Sequence, residues 1–338
     1  MQIRRSGTPP ATPGQEIDRL IGEAVAAIEA ADGRVIVGPW LGEVGFEVLY
    51  WIPFLRRLFA AHSVDPARVT VVSRGGVEPW YAGLHGRYVD ILGAFEPEEL
   101  ANAAFGLRWA TGRPKKQVEM HEGDEQVLGA TVGDGWKEQA LLHPSLLYRL
   151  FKFVWLGWEP LTNFLERASY TPWQPPDEPD VLRDLPADFT AVRFYFRESF
   201  DDNDANRVLV ERILDRLVGR GPVVLLNPGV VLDDHLDAEP VDREGVYRPL
   251  AGIDPARNLR AQSAVLARAR MFVGTYGGLA HLAPLYGVPT IALATDGGLN
   301  LVHLTLARRV AALYDTWLAV TDGPGFDLLA ALARGAAA

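Results

Sequence analysis

Residues 261–293 read AQSAVLARARMFVGTYGGLAHLAPLYGVPTIAL. A helix-forming stretch feeds Met271–Thr275 (MFVGT), a short apolar run of strand type, and TIALAT repeats that character at 290–295. Strand, glycine turn, helix and strand in this order imply parallel strands with helices laid over the sheet. The turn Gly274-Thr275-Tyr276-Gly277-Gly278 falls where the strand ends and the next helix must begin. Paired glycines there let a backbone approach a ligand closely. The first N–H groups of a helix, at the positive end of its dipole, favour an anion. A phosphate or diphosphate fits that description. Thr275 adds a hydroxyl donor, and His281, one turn into the helix, can reach the same end. The plain alternative is that Gly277 and Gly278 only permit a tight turn and that His281 is a satisfied, partly buried histidine.

The same alternation extends outward in the second half. Ala191–Phe196 reads as strand, Asn206–Val218 as helix and Val223–Asn227 as strand. An irregular acidic stretch leads to a short strand around Val246–Leu250, then a helix from about Asn258 to Arg270. A last helix is expected around Phe326–Arg334. The first half starts with Ile17, Leu20, Ile21, Ala24, Val25 and Ile28 at helical spacing, followed by the buried-type strand Arg34–Val37, a loop, a second helix with Val48, Leu49, Ile52, Leu55, Leu58 and Phe59 apolar, and the strand Val69–Ser73. Tyr88–Leu92 reads as a third strand. Residues 106–135 mix charge, glycine and short alternations and receive no assignment. Between the halves, Tyr170–Pro186 is rich in proline, which disfavours both helix and central strand. The expected organisation is therefore an α/β protein of two Rossmann-like domains: residues 1–169, a proline-rich linker at 170–186, and residues 187–338. Ligands of such sheets sit at the carboxyl ends of the strands, so the loops after strands are where function is sought.

Composition narrows the function. With 338 residues, about two domains are expected. Lys+Arg 33 against Asp+Glu 43 gives a net charge of -10, which disfavours a large phosphate-backbone footprint and hence a nucleic-acid partner. Cysteine is absent, which removes disulfides, zinc-thiolate sites and a thiol nucleophile. Neither a Walker A sequence nor G-x-G-x-x-G occurs, so a P-loop NTPase or standard dinucleotide dehydrogenase is disfavoured. The polar first residues lack the apolar core of a secretory signal, and a cytoplasmic protein is expected.

The segment 261–293 resembles the donor-binding segment of GT-B glycosyltransferases, and most closely that of the heptosyltransferase-like family, glycosyltransferase family 9. Gly274, Gly278, Leu279, His281, Leu282, Ala283, Gly287, Pro289 and Thr290 stand at the family's positions. Tyr276 replaces the family's usual Asp, and Gly277 its Ser or Thr. A second loop, GPWLGEVGFEVLYWIPFLRRL at 38–58, resembles the family's amino-terminal signature through Gly42, Glu43, Pro53, Leu55 and Leu58, with Glu43 in place of Asp. The resemblance implies two domains facing across a cleft, a nucleotide-diphosphate sugar bound by Thr275, Tyr276, Gly277, Gly278 and His281, and Glu43 as the base that takes the acceptor's proton. Chemistry supports a carboxylate there, because inverting transfer needs a base and desolvation raises a cleft glutamate towards neutrality. Glu47, four residues on, competes for the role. Helix capping is the plain alternative for both.

Further candidates lie in other loops. Arg197, after the strand at 191–196, is preferred over Arg193 as the cation that neutralises a diphosphate leaving group; a surface ion pair is its alternative. Asn227 is placed near the base or ribose, and Trp40 in the acceptor site. Asp233, Asp234, His235 and Asp237 form an acidic cluster, but no calcium-loop pattern accompanies them, and no metal or resident cofactor is expected. Residues 146–173 combine Trp155, Trp158 and Trp173 with Arg149, Lys152 and Arg167. A peripheral contact with the inner face of a membrane is weighed there, with packing between the domains the favoured alternative. The expected activity is inverting, metal-independent transfer of a sugar from a nucleotide-diphosphate sugar to an acceptor hydroxyl. A nucleotide-sugar epimerase and a non-catalytic nucleotide-sugar-binding protein are the alternatives. The sequence leaves base, sugar, acceptor and oligomeric state open.

Overall fold

The computed structural model describes residues 13–100, 117–197, 199–229, 236–295 and 299–322. The chain divides into two compact units, Met1–Thr171 and Pro172–Ala338. The proline-rich segment is thereby counted with the second unit from Pro172 on, Tyr170 and Thr171 belonging to the first. Its buried Glu178 carboxylate receives Arg257 and Arg260 from the region of the Asn258–Leu266 helix, and Trp173 meets Tyr286 edge-on at 6.0 Å.

The first unit carries a parallel sheet of β1 (Val35–Val37), β2 (Val69–Ser73), β3 (Arg87–Asp90) and β4 (Ala140–Leu142), in the order β3-β2-β1-β4. Central β1 is buried along its whole length, as expected of a β-branched run covered on both faces. The helix Pro13–Ala30 buries Ile17, Leu20 and Ile28, three of the positions its spacing singled out. The second helix is a composite of Val44–Phe46, a π-helical turn at Glu47–Trp51, and Ile52–Ala61. All six of its expected apolar positions are buried. In the unassigned stretch, Glu122–Val132 forms a helix; its first turn is acidic and Asp124 accepts from the His121 backbone N–H.

In the second unit β5 (Thr190–Arg193), β7 (Val223–Leu225), β9 (Val246–Tyr247), β10 (Met271–Thr275), β11 (Thr290–Leu293) and β12 (Leu318–Thr321) form one parallel sheet, ordered β12-β11-β10-β5-β7-β9. The chain runs outward from β5 to β9 and then returns to lay β10 on the other side of β5. That is the doubly wound order. Alternate residues Val192, Val223, Leu225, Val273, Ile291 and Leu293 share one core with Val210, Ile213, Leu214 and Leu217 of the helix Asp204–Val218. The period of two in the strands and the helical spacing thus meet in one apolar layer.

Several expectations change. The strand expected at 191–196 is broken at Phe194: β5 stops at Arg193, and β6 (Tyr195–Phe196) leaves the sheet to pair antiparallel with β8 (Leu236–Asp237). The helix from Asn258 ends at Leu266 instead of near 270, and Asn258 is its first residue, with Arg257 at the cap position. Leu301–Leu313 is a helix capped by Asn300, whose side chain accepts from the backbone N–H groups of Val302 and His303, and it leads to β12; neither element was expected. The helix expected at 326–334, the cluster residues Asp233, Asp234 and His235, and Glu198 lie outside the described residues.

Candidate functional site

Both sheets reverse direction once, and an open parallel sheet binds ligands at the carboxyl ends of the strands flanking that reversal. In the second unit these strands are β5 and β10, and the turn Gly274–Gly278 closes one of them. Gly274 is required by the sheet itself. A Cβ there would run into the Arg193 carbonyl oxygen and stand 2.7 Å from Phe272 Cζ. Gly277 serves a side chain, since a Cβ at this position would coincide with the hydroxyl of Tyr195. The glycine therefore admits the Tyr195 ring on that side, while Gly277 and Gly278 both remain half-buried. Gly278–Leu282 is helical and Ala283–Tyr286 continues as a tighter 3-10 turn.

The turn's side chains are placed differently from the expectation. Thr275 is buried, and its hydroxyl donates to the Tyr195 carbonyl (2.9 Å) while accepting from the Tyr195 N–H (3.0 Å). It ties β10 to β6 and is not offered to an anion. Tyr276 is buried, and its hydroxyl has no hydrogen-bond partner among the described residues. Burial pushes its ionisation up, opposed by the charge of Arg308. His281 is buried and meets the Tyr276 ring edge-on at 5.0 Å.

Arg193, passed over as an interior strand residue, stands at the end of β5 in register with Gly274. It donates to Asp237 through Nε (3.2 Å) and Nη2 (3.1 Å), and through Nη1 to Gln262 Oε1 (2.9 Å). Gln262 Nε2 in turn donates to Asn258 Oδ1 (3.1 Å). Asp237, the described member of the acidic cluster, is therefore paired with a guanidinium. Arg197 is half-buried, and its backbone exchanges both hydrogen bonds with Phe200. Asn227, just beyond β7, donates from Nδ2 to the Ala238 carbonyl (2.9 Å), and its buried Oδ1 has no hydrogen-bond partner among the described residues. A buried amide oxygen without a donor carries a desolvation cost that a hydroxyl or amine of a ligand would relieve.

In the first unit the reversal lies between β1 and β4, at the loop Gly38–Glu43. Glu43 precedes the helix with extended backbone (φ -70°, ψ 141°), makes no side-chain capping bond and is half-buried. The helix thus starts after it, at Val44. Glu47 opens the π-turn and is 0% exposed. Its Oε1 accepts from Ser73 Oγ and Tyr81 Oη, both at 2.7 Å. Burial pushes its carboxyl up to about 7, against the pull of Arg74 and the two hydroxyls and with some push from Asp90. It has no exposed surface from which to take an acceptor's proton. Trp40 is also 0% exposed and stacks on Trp51 at 6.0 Å, so the ring expected to carry an acceptor sugar is a core ring. It was placed by type alone, because a tryptophan in a loop reads the same whether it faces inward or outward.

Sequence reasoning missed the polar side chains behind this loop. Arg74, after β2, is buried and donates to the carbonyls of Trp40 (3.3 Å) and Gly42 (2.6 Å). Gln117 accepts from the Leu41 N–H (2.8 Å) and donates to the Pro39 carbonyl and to Asp124 Oδ1, both at 2.9 Å. His143, after β4, lies 3.5 Å from Asp124. One signal was legible: Arg74 directly follows a strand whose loop points to the ligand end of the sheet.

Around 146–173 the aromatic residues are packed within their own units. Trp155 meets Phe46 edge-on at 5.4 Å and Phe151 at 4.8 Å, and Trp158 lies 6.0 Å from Phe153. Arg149 and Lys152 are exposed, Trp155 and Trp158 are half-buried, and Trp173 is buried. Among the described residues no helix is long and apolar enough to cross a membrane, and no three His, Asp or Glu residues gather as metal ligands.

The fold and its two reversal points define a mixed α/β protein of parallel sheets, with a polar turn at the ligand end of each. No family model matches the chain, and no curated protein matches it in sequence. Its structural neighbours are glycosyltransferases and epimerases. They include the iron-containing dodecameric glycosyltransferase TibC of enterotoxigenic E. coli (14% identity, 77% of this chain and 57% of that chain, TM-score 0.37). The family 9 glycosyl transferase of Veillonella parvula matches at 14% identity over 86% and 87% of the two chains, with a TM-score of 0.42. UDP-GlcNAc 2-epimerase of Methanocaldococcus jannaschii matches at 9% identity over 88% and 90%, with a TM-score of 0.38. The matched region spans 57% of the TibC chain.

Proposed function

We propose that the chain is a glycosyltransferase that takes a nucleotide-diphosphate sugar at the second unit and passes the sugar to an acceptor hydroxyl. The observation that carries this reading is the coincidence of the Gly274–Gly278 turn, where the family resemblance is densest, with the reversal point between β5 and β10, beside a guanidinium at Arg193. The half-buried Gly277–Gly278 backbone offers N–H groups to the diphosphate, and Arg193 and Arg197 supply positive charge as the leaving group forms. Asn227 Oδ1 accepts a hydrogen bond from the base or ribose. Glu43 takes the acceptor's proton, the acceptor oxygen bonds to the anomeric carbon, and the bond from that carbon to the diphosphate oxygen breaks. The nucleoside diphosphate leaves with the bonding electron pair.

Four sugars, those of UDP, GDP, ADP and dTDP, are screened by thermal shift. A ligand present at 100 times its Kd stabilises by about 2.7 kcal/mol, a readable shift. The bound sugar is then incubated with protein and candidate acceptors. Release of nucleoside diphosphate only when an acceptor is present, and its loss in Glu43→Gln, is the expected result. Isomerised sugar from donor alone assigns an epimerase instead, and binding without turnover of any donor assigns a sensor.

A further inference from the structure

The loop Gly38–Glu43 has no regular secondary structure, yet its backbone is held along its length. The Gly38 N–H donates to the Leu142 carbonyl and the Trp40 N–H to the Val72 carbonyl, both at 3.0 Å. Gln117 takes the Leu41 N–H and supplies a donor to Pro39, and Arg74 supplies donors to Trp40 and Gly42. The Glu43 carbonyl accepts from Phe46 and Glu47 as the helix starts. Two of these clamps are long polar side chains buried at some expense of desolvation and conformational freedom. Gln117 is oriented by Asp124: a carboxylate only accepts, so the amide nitrogen faces it and the amide oxygen is left for Leu41. Arg74 is a planar fork whose two terminal nitrogens each reach a carbonyl in fixed geometry, where a lysine would bring a single nitrogen. Its charge is buried near Glu47, so the clamp is electrically supported from behind. What the loop presents from this frame is one charged side chain, Glu43.

We propose that Arg74 and Gln117 are positioning residues that hold the Gly38–Glu43 loop so that the Glu43 carboxylate stands in one place at the reversal point of the first sheet. This rests on the transferase reading with Glu43 as base. A base must sit within hydrogen-bond reach of the proton it takes, and a displacement of about 1 Å costs on the order of 100-fold in rate.

The test uses the full chain and two variants. In Gln117→Ala, hydrogen exchange at the Leu41 amide rises about tenfold, the equivalent of one ordinary hydrogen bond, while the Val37 amide in β1 is unchanged. In Arg74→Lys, which keeps the charge beside Glu47 but loses the fork, transfer from the nucleotide sugar found by thermal shift falls in kcat by about 100-fold with the donor KM unchanged. Unchanged exchange at Leu41 overturns the clamp. Loosened exchange with unaltered kcat, or kcat and KM moving together with melting temperature, makes the loop core scaffold and overturns the positioning role. A wild-type protein that turns over no nucleotide sugar overturns the transferase reading before any variant is made, and is thereby told apart from failure of the clamp.

Discussion

The two reversal points obey one backbone rule and fill it differently. Gly38 ends β1 as Gly274 lies in β10, and at each a Cβ would run into the carbonyl of the adjacent strand, Val72 in the first unit and Arg193 in the second. Beyond that the designs part. The first loop is clamped by buried side chains distant in sequence, Arg74 and Gln117, with Glu47 supporting the charge. The second turn is held by backbone and by Tyr195, which pairs with the Thr275 hydroxyl and donates from its own hydroxyl to the Tyr276 carbonyl (3.5 Å), and its guanidinium, Arg193, lies beside the turn instead of gripping it. Parallel-sheet topology dictates where a glycine must stand, whereas the polar groups around it are free to differ. The first unit uses them to grip the backbone of the loop that ends at Glu43; the second pairs its cation with Asp237 and Gln262 and leaves a buried amide oxygen, Asn227 Oδ1, without a hydrogen-bond partner among the described residues.

The largest effect expected tests the shared rule. Gly38→Val and Gly274→Val each force a side chain into a neighbouring strand's carbonyl, and Gly38 carries a second demand, a φ of +123° that branched residues rarely adopt. Each should cost more than about 3 kcal/mol in urea unfolding. Gly38→Ala should cost at least as much as Gly274→Ala. Tolerance of either substitution would break the parallel between the two ends.

A smaller effect sharpens the contrast, because it belongs to the first unit alone. Glu47 has its folded carboxyl raised from 4.5 to about 7 by burial. Between those values the folded protein binds a proton that the unfolded chain has lost, so stability falls as pH rises from about 4.5 to 7 and is level beyond. The swing is about 3 kcal/mol at most, at 1.36 kcal/mol per unit. Glu47→Gln removes it: relative to wild type the variant gains stability as pH rises from 5 to 8, read from unfolding midpoints at each pH. An equal pH slope in both proteins would place that proton elsewhere, with Asp90, also raised by burial, the first candidate.

How much of this was readable beforehand follows the same division. Period-two and helical spacing announced β1, β2, β5, β10 and β11 and the helices that cover them, because burial on both faces leaves a continuous apolar run. The glycine turns were readable for the same reason. Helix Leu301–Leu313 was not expected, although Asn300 stands at its cap and Leu304, Ala307, Val310 and Ala311 recur at helical spacing. Gln117 and Asp124 could not be found by pattern, and Arg74 only by its place directly after β2, not by what it holds. Their partners lie 32 and 76 residues away for Arg74–Gly42 and Gln117–Leu41, and no local spacing reports a long-range hydrogen bond. Trp40 and Thr275 were misread by the reverse error, in which residue type suggested ligand contact and tertiary packing supplied another partner.

Thr275 therefore gives the finest test of the second turn. If its hydroxyl belongs to Tyr195, Thr275→Val deletes one donor and one acceptor partner in a buried place while keeping volume and branching, and leaves the Tyr195 N–H and carbonyl unsatisfied. The cost is about 1 to 2 kcal/mol, with Thr275→Ser closer to wild type because the hydroxyl is retained. Nucleotide-sugar affinity, corrected for the stability loss, should be unchanged in both. The opposite pattern, a protein as stable as wild type that binds donor more weakly, would return Thr275 to the ligand and make the second turn a polar cradle of the same kind as the first.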